Sequence, residues 1–179
     1  MNILYPHSWN IFKFVSMKKI GIISDTHGIF DAPLQDFLSS VDEIWHAGDI
    51  GSAELADRIA AFKPLRAVYG NIDGGETRLM FPEYNFYECE DVKVLMTHIG
   101  GYPGRYTPTA LQKIRELGPD IFISGHSHIL KVIYDKKYNV LHINPGAAGK
   151  YGFHHVRTAV RLEIEGADIR NLEVGEWNK

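Results

Sequence analysis

The feature of this sequence that most restricts its fold is an alternation of short apolar runs with amphipathic stretches between residues 20 and 69. The apolar runs predict buried strands, and the stretches between them predict helices. The predicted order is strand Ile20–Ser24, helix Ala32–Ser40, strand Glu43–Ala47, helix Ala53–Phe62 and strand Leu65–Tyr69. Strands joined through helices form right-handed crossovers, so this half of the chain predicts a mainly parallel sheet.

The second half of the chain is richer in strands. The pattern predicts one helix, Pro108–Leu117, because Pro108 suits the first helical position and Gly118 suits the end. The predicted strands are Tyr84–Tyr87, Val92–Thr97, Asp120–Ser124, Leu130–Tyr134, Val140–Ile143, Val156–Ile164 and Asp168–Val174. We therefore predict an α/β fold of about ten strands and three helices, with two sheets packed face to face and helices outside.

The 179 residues, 45% of them hydrophobic, are enough to bury the core of one ordinary domain. We predict a single domain over residues 17–179, preceded by an N-terminal appendage over residues 1–16. In the alternative interpretation, Trp9, Phe12 and Phe14 belong to an arm that packs on the body or on a partner subunit.

Composition also excludes several classes of function. A net charge of -3 implies no strong cationic field, so we expect no extended nucleic acid as a partner. No apolar run approaches the roughly 20 residues that span a bilayer, so we expect no membrane association. The single cysteine, Cys89, rules out an intrachain disulfide framework and a cysteine-rich zinc knuckle. It suits a reducing compartment, which leads us to expect a cytoplasmic protein.

Polar side chains that bind metals directly follow five of the predicted strands. They are Asp25 and His27 in SDTHG, Asp49 in HAGDI, Asn71 in YGNID, His98 in THIGG, and His126 and His128 in SGHSH. Loops at the carboxyl ends of parallel strands form the ligand crevice of such folds. We therefore expect these seven side chains to converge.

The chemistry of the set favours a pair of metal ions. Imidazole nitrogens and carboxylate oxygens are ligands for divalent ions such as Mn, Fe, Co or Zn. Seven ligands are too many for one ion, but they suffice for two if one carboxylate bridges and water completes the coordination. Two such ions about 3.5–4 Å apart clamp the attacking and leaving oxygens of a phosphoryl displacement. Their excess positive charge would attract a phosphate ester and lower the pKa of a bound water.

The five motifs, in order, resemble the signature of the calcineurin-like metallophosphoesterase superfamily, which runs D-x-H, G-D, G-N, H and G-H-x-H. The resemblance covers the chain from Lys18 to its C-terminus. The small size and the segment INPGA, residues 143–147, are most similar to the compact bacterial phosphodiesterase branch. That branch is in turn similar to the metallophosphoesterase-like subunit of retromer. The resemblance implies a four-layer αββα sandwich of two mixed β-sheets.

The resemblance also implies roles for the seven side chains. Asp25, His27 and His128 would bind the first metal, and Asn71, His98 and His126 the second. Asp49 would bridge the two, and a hydroxide between the metals would attack phosphorus. The implied catalytic residues are Asp49, Asn71 and His98, with Asn71 also close to a phosphate oxygen. We expect two divalent ions per chain, with manganese preferred over iron, nickel, cobalt or zinc.

The sequence departs from many family members after Asn71. Those members carry G-N-H-[DE], whose histidine is thought to protonate the leaving group, whereas here the position is Ile72. General-acid catalysis is worth about 10²–10⁴-fold, and the sequence leaves it unassigned.

Five residues outside the motifs are further candidates. Arg105 could meet phosphate bidentately and Tyr102 could stack on a base or aryl group, unless both belong to a plain surface loop. His46 could bind a metal, although a hydrogen-bonding role beside the ligands is the commoner case. His154 and His155 are candidates for the rim of the cleft.

The sequence therefore predicts a dinuclear metal-dependent phosphodiesterase acting on small phosphodiesters. One alternative is a protein-binding scaffold like the retromer subunit, with little catalysis. Another is a cyclic-nucleotide phosphodiesterase. The intact ligand set favours an enzyme over a scaffold, and homo-oligomerisation is left open.

Overall fold

The structure is a computed structural model that describes residues 16–179. The predicted appendage, residues 1–16, lies outside the described residues except for Ser16, so its interpretation stays a prediction. Among the helices of residues 16–179, none is long and apolar enough to cross a membrane.

Ten strands and four helices follow one another along the described chain. The strands are β1 Lys18–Ile23, β2 Glu43–His46, β3 Leu65–Ala67, β4 Tyr84–Cys89, β5 Val92–Thr97, β6 Ile121–Ile123, β7 Leu130–Asp135, β8 Val140–Pro145, β9 Val156–Glu165 and β10 Asp168–Asn178. The helices are α1 Ala32–Leu38, α2 Ala53–Phe62, α3 Gly75–Met80 and α4 Pro108–Leu117. Every predicted element is present, and α3 is an addition to the prediction.

The strands form two mixed sheets of five, in the orders β10-β9-β1-β2-β3 and β4-β5-β6-β8-β7. In the first sheet β1, β2 and β3 run parallel, and β9 joins them antiparallel. In the second sheet β5, β6 and β8 run parallel, with antiparallel β4 and β7 at the edges. The predicted βαβαβ half therefore supplies the parallel part of one sheet.

Three apolar clusters stack these elements into four layers. The cluster between the sheets joins Ile22 and Trp45 to Met96 and Ile123 of the opposite sheet. A second cluster packs α1 and α2 on the outer face of the first sheet through Leu34, Leu38, Leu55 and Ile59. A third packs α4 on the outer face of the second sheet through Ala110 and Ile114. The predicted αββα sandwich is confirmed, and burial on both faces explains why β1 reads as a continuous apolar run.

Arg157, at the start of β9, carries a charge that is almost wholly buried, with 2% of its side chain exposed. Its two terminal nitrogens each donate to the Asp31 carboxylate at 2.8 Å, and its Nε donates to the Ala148 carbonyl at 2.7 Å. This bidentate pair ties β9 to the residue that precedes α1.

We expect Asp31→Asn to lower the free energy of unfolding by about 3 kcal/mol at pH 7, because it leaves the guanidinium buried without its partner. The hydrogen bond from Arg157 lowers the pKa of Asp31. The stabilisation is therefore complete above the ordinary pKa of about 4 and is lost as the pH falls through the lowered folded-state value. Urea unfolding at a series of pH values should show wild type and variant converging in acid. A difference that stays constant into acid would contradict the assignment.

Candidate metal centre

The seven predicted ligands meet where strands of both sheets end. Asp25 and His27 follow β1, Asp49 follows β2, Asn71 follows β3, His98 follows β5, and His126 and His128 follow β6. Backbone hydrogen bonds continue the strand pairing into these loops. The Asp25 amide donates to the Gly48 carbonyl at 2.9 Å, and the His27 amide donates to the Asp49 carbonyl at 3.1 Å. The register of the sheet therefore fixes the backbone positions from which these side chains extend.

Five of the seven lie in the left-handed region of backbone conformation. Their φ angles are 54° at Asp25, 46° at His27, 55° at Asp49, 68° at His126 and 56° at His128. Residues other than glycine rarely adopt this conformation, and such residues cluster at functional sites. The concentration of strain at these positions is a structural sign of a site.

Asp25, His27 and His128 form the first group, and one ligand atom of each lies within 4.8 Å of the others. Asp25 Oδ1 is 3.1 Å from His128 Nε2, and the Nε2 atoms of His27 and His128 are 3.5 Å apart. Two ligands held at about 2.1 Å from one ion, at octahedral or tetrahedral angles, are separated by about 3.0–3.4 Å. The spacing therefore suits ligands of a single cation.

Asp49, His98 and His126 form the second group by the same measure. The Asn71 amide oxygen joins it, at 3.1 Å from His98 Nε2. Asp49 Oδ2 lies 3.3 Å from His98 Nε2 and 4.0 Å from His27 Nε2, one atom from each group. Its other oxygen, Oδ1, accepts the Ile72 amide at 3.0 Å. A single carboxylate oxygen thus faces both groups.

The buried carboxylates of this site lack lysine and arginine partners among the described side chains, and a bound cation would supply the positive charge. Asp25 is fully buried, and its Oδ1 has no hydrogen-bond partner among residues 16–179. The other oxygen accepts the His126 amide at 3.1 Å. In the described part of the chain no lysine or arginine pairs with Asp25 or Asp49; their ion pairs are with histidines. Since an unpaired buried charge is costly, the donor set suits divalent cations.

The pKa values reflect this negative field. Burial lowers the pKa of His98, but the hydrogen bond to Asp49 and the charges of Asp25 and Asp49 outweigh it, so the pKa is raised. Burial raises the pKa of Asp49, yet the contact with His98 outweighs it and the pKa is lowered. Asp49 is therefore ionised at neutral pH.

Hydrogen bonds behind two of the ligand histidines hold their rings so that the other ring nitrogen, Nε2, faces the site. His98 Nδ1 donates to the Ala47 carbonyl at 2.7 Å. His154 Nε2 donates to the Gly149 carbonyl at 3.0 Å, so its Nδ1 accepts from His128 Nδ1 at 3.2 Å. The tautomer of His128 therefore presents a lone pair on Nε2. His154 is a support for His128, a role more specific than the predicted place at the rim.

His46 holds two of the loops together from beneath. Its Nδ1 accepts the Gly48 amide at 3.1 Å, and its Nε2 donates to the Thr26 hydroxyl at 2.8 Å. Burial lowers the pKa of His46 to about 4, so the ring is neutral. Because both nitrogens are used, the hydrogen-bonding interpretation of His46 holds and direct ligation does not.

Of the two predicted substrate contacts, Tyr102 lies in a pocket beside the site and Arg105 does not. Tyr102 lines a pocket of about 260 Å³ that reaches His126, and the Lys131 ammonium lies 3.7 Å from the centre of its ring. Arg105 is exposed and is not among the residues that line this pocket. Its amide donates to the Tyr102 carbonyl at 2.7 Å, which closes the turn between them.

Arg78 on α3 is a site residue that the sequence interpretation missed. It lines a second pocket, of about 230 Å³, together with Asn71 and His98. Its Nε donates to the Asp73 carbonyl at 2.8 Å, and its guanidinium lies 4.8 Å from the centre of the Tyr69 ring. The only signal in the sequence was an arginine shortly after the G-N motif, on a helix that was not predicted.

Known proteins share both sequence and fold with this chain. A family model described as the calcineurin-like phosphoesterase superfamily domain matches residues 17–167. A probable metallophosphoesterase of Methanocaldococcus jannaschii is 33% identical over 135 residues, 72% of this chain and 67% of that protein. The structure of a novel archaeal phosphodiesterase superposes with a TM-score of 0.66 at 25% identity, covering 88% of this chain and 99% of that one. Vacuolar Protein Sorting 29 from Cryptosporidium parvum shares the fold, with a TM-score of 0.70 at 20% identity, covering 91% of this chain and 99% of that one.

Proposed function

The chain belongs to the calcineurin-like phosphoesterase superfamily, and on this premise we propose that it is a metal-dependent phosphodiesterase that hydrolyses small phosphodiesters. The observation that carries the proposal is the position of Asp49 Oδ2 between two groups of ligand atoms. A structural neighbour described as a phosphodiesterase supports the choice of a diester.

In this proposal Asp25, His27 and His128 hold one cation, and Asn71, His98 and His126 hold the other. Asp49 would serve both, since its Oδ2 faces both ligand groups. When bound, a pair of divalent cations stabilises charge on the phosphoryl group and lowers the pKa of a water molecule. Asn71 keeps an amide NH₂ group to donate to a phosphoryl oxygen, and the Arg78 guanidinium adds positive charge to the adjoining pocket.

Manganese is our first choice of metal. Iron, nickel, cobalt and zinc are alternatives, because imidazole and carboxylate ligands suit all of them. A cytoplasmic location, a small phosphodiester as substrate and the lack of an extended nucleic-acid partner complete the proposal. The reducing-compartment argument from Cys89 supports the location. Homo-oligomerisation is left open.

We expect chelation to abolish hydrolysis of bis(p-nitrophenyl) phosphate and Mn²⁺ to restore it. Elemental analysis of the reloaded protein should give about two ions per chain, the number that the two ligand groups call for. The monoester p-nitrophenyl phosphate, run in parallel, separates diesterase from monoesterase activity. Protein that binds no metal, or that cleaves only the monoester, would overturn the proposal.

The two alternative functions make different predictions in the same assay. A retromer-subunit-like scaffold would turn over neither ester, although all seven ligand positions are intact here. A cyclic-nucleotide phosphodiesterase would hydrolyse cyclic nucleotides faster than the bis-aryl ester. The complete ligand set is the reason we prefer an enzyme to a scaffold, and Ile72, in place of the histidine of G-N-H-[DE], is the reason we prefer the general phosphodiesterase to the cyclic-nucleotide enzyme.

His154→Ala should weaken Mn²⁺ affinity by about 10–100-fold, because His128 loses the acceptor that fixes its tautomer and orientation. Isothermal titration of the metal-free protein measures this directly, without reference to turnover. His155→Ala is the matched control, since His155 is the adjacent histidine and is exposed. Equal affinities for the two variants would remove His154 from the support of the site.

A further inference from the structure

A pocket of about 260 Å³ adjoins the metal centre on the outer face of the second sheet. We call it the β5-loop pocket, because the loop that follows β5 covers it. The residues that matter to its chemistry are Ile99, Tyr102, His126, Ile129, Lys131 and His142. Since His126 belongs to the second ligand group, this pocket begins directly beside the proposed place of the phosphodiester.

His142 in the wall of the β5-loop pocket has no role in the fold's hydrogen bonding. It is fully buried on β8, and neither ring nitrogen has a hydrogen-bond partner among residues 16–179. Its ring lies 5.7 Å from that of Phe122 and 6.3 Å from that of Tyr106. Buried polar atoms are nearly always paired, so an unpaired imidazole beside a pocket calls for a ligand.

The neighbouring Asn144 shows that this part of the sheet otherwise satisfies its polar groups. Its Nδ2 donates to the Gly125 carbonyl at 2.9 Å and to the Ser127 hydroxyl at 3.0 Å, and its Oδ1 accepts the Gly146 amide at 3.0 Å. Burial lowers the pKa of His142 to about 4. The neutral ring therefore offers one donor and one acceptor at physiological pH.

The other walls of the β5-loop pocket are mostly apolar. Ile99 and Ile129 are 45% and 62% exposed at its edge, and the Tyr102 ring adds an aromatic face. Gly100 brings its backbone close to the sheet, because a Cβ there would lie 2.4 Å from the Phe122 ring. A slot with apolar and aromatic sides and a polar floor suits a flat ring with a hydrogen-bonding edge.

We propose that the β5-loop pocket binds one ester group of the substrate, a planar nitrogen heterocycle of nucleobase size. Its polar edge would meet His142, and its face would stack on the side of the Tyr102 ring opposite the Lys131 ammonium. The inference rests on the proposed phosphodiesterase function. The volume is close to the lower limit of about 300 Å³ for ligand pockets, so it admits a single ring system. Because His142 has no exposed area, its contact with the bound ring requires an outward shift of the side chains that cover it.

Two diesters with the same leaving group test the substrate class. Thymidine 5′-(p-nitrophenyl) phosphate and bis(p-nitrophenyl) phosphate both release p-nitrophenol and differ only in the other ester group. We expect wild type to favour the thymidine ester in kcat/KM, and His142→Phe to reduce that preference about tenfold, the equivalent of one net hydrogen bond of about 1.4 kcal/mol. Phenylalanine fills the space beside Phe122 without ring nitrogens, so this variant should fold.

Tyr102→Leu should also reduce the preference, because base stacking on an aromatic ring is lost. His155→Phe, a histidine replaced outside the pocket, should retain it. A preference unchanged in both His142→Phe and Tyr102→Leu, or no preference in wild type, would overturn the subsite.

A binding measurement separates this inference from the proposed function. Thymidine and adenosine, which carry no phosphate, are titrated into metal-free protein and followed by NMR shifts of the Gly100 and Gly101 amides. We expect saturable shifts that weaken about tenfold in His142→Phe. Nucleoside binding without turnover of either diester would retain the subsite and overturn the phosphodiesterase. Turnover without nucleoside binding would retain the enzyme and overturn the subsite.

Discussion

Asp49→Asn is expected to lower kcat/KM for bis(p-nitrophenyl) phosphate by about 10³-fold or more while the fold stays intact. Asp49 Oδ2 is the oxygen that faces both ligand groups, whereas Oδ1 accepts the Ile72 amide. An asparagine keeps that second contact with its carbonyl oxygen and so turns an uncharged NH₂ group toward His27 and His98. The expected loss of rate follows from the loss of several kcal/mol of charge stabilisation in the transition state, because each step of about 1.4 kcal/mol changes the rate tenfold.

The measurements for Asp49→Asn are steady-state kinetics, Mn²⁺ titration and thermal unfolding. We expect metal affinity and rate to fall together, while the metal-free variant still unfolds in one cooperative transition, which shows that its fold is intact. Asp57→Asn removes an exposed carboxylate on α2 and serves as the control. A rate for Asp49→Asn within tenfold of wild type would show that Asp49 is not shared between two cations.

Gly70→Ala should disrupt the same site through the backbone. A Cβ at Gly70 would lie 2.0 Å from Asp49 Oδ1 and 2.3 Å from the Asp49 amide nitrogen, distances that no packing adjustment of side chains alone relieves. The loop after β3 must therefore move away from the loop after β2. We expect the free energy of unfolding to fall by about 3 kcal/mol, and activity to fall at least 100-fold because Asp49 is displaced.

Gly74→Ala is a closely matched control for Gly70→Ala. Gly74 lies in the same loop, and a Cβ there would have no atom within 4 Å. Its φ of -79° is one that alanine adopts without strain. Gly74→Ala should match wild type in the free energy of chemical unfolding and in the rate of diester hydrolysis. If Gly70→Ala behaved in the same way, the close approach of the two loops would be wrong.

The parts of the fold that could be predicted are those in which local pattern and tertiary burial agree. The strand β1 reads as apolar on both faces because a sheet and a helical layer cover it, and α4 has both its proline start and its glycine end. Helix α3 gives no such signal. It has six residues, begins at Gly75 and buries only Thr77, so its position depends on contacts made elsewhere, including those of Arg78 with Asp73 and Tyr69.

The family and the set of residues that converge could also be read from the sequence, because parallel strands bring the residues after them to one edge. The family is confirmed by the match over residues 17–167. The hydrogen-bond partner of each histidine nitrogen could not be predicted from the sequence. His154 contacts His128 across 26 residues of chain, and His142 meets its pocket through the register of β8, neither of which leaves a spacing pattern.

The left-handed backbone at five of the seven ligand positions limits how this site can change. A replacement there must satisfy the main chain as well as the chemistry, and asparagine and glycine are the residues that adopt such angles most readily. Valine, isoleucine or threonine would strain the loop, because β-branched residues rarely adopt a positive φ, and this cost is independent of cation binding. A substitution that removes a cation ligand and keeps the fold is therefore made most easily with asparagine or glycine, so the main chain restricts this site as strongly as its chemistry does.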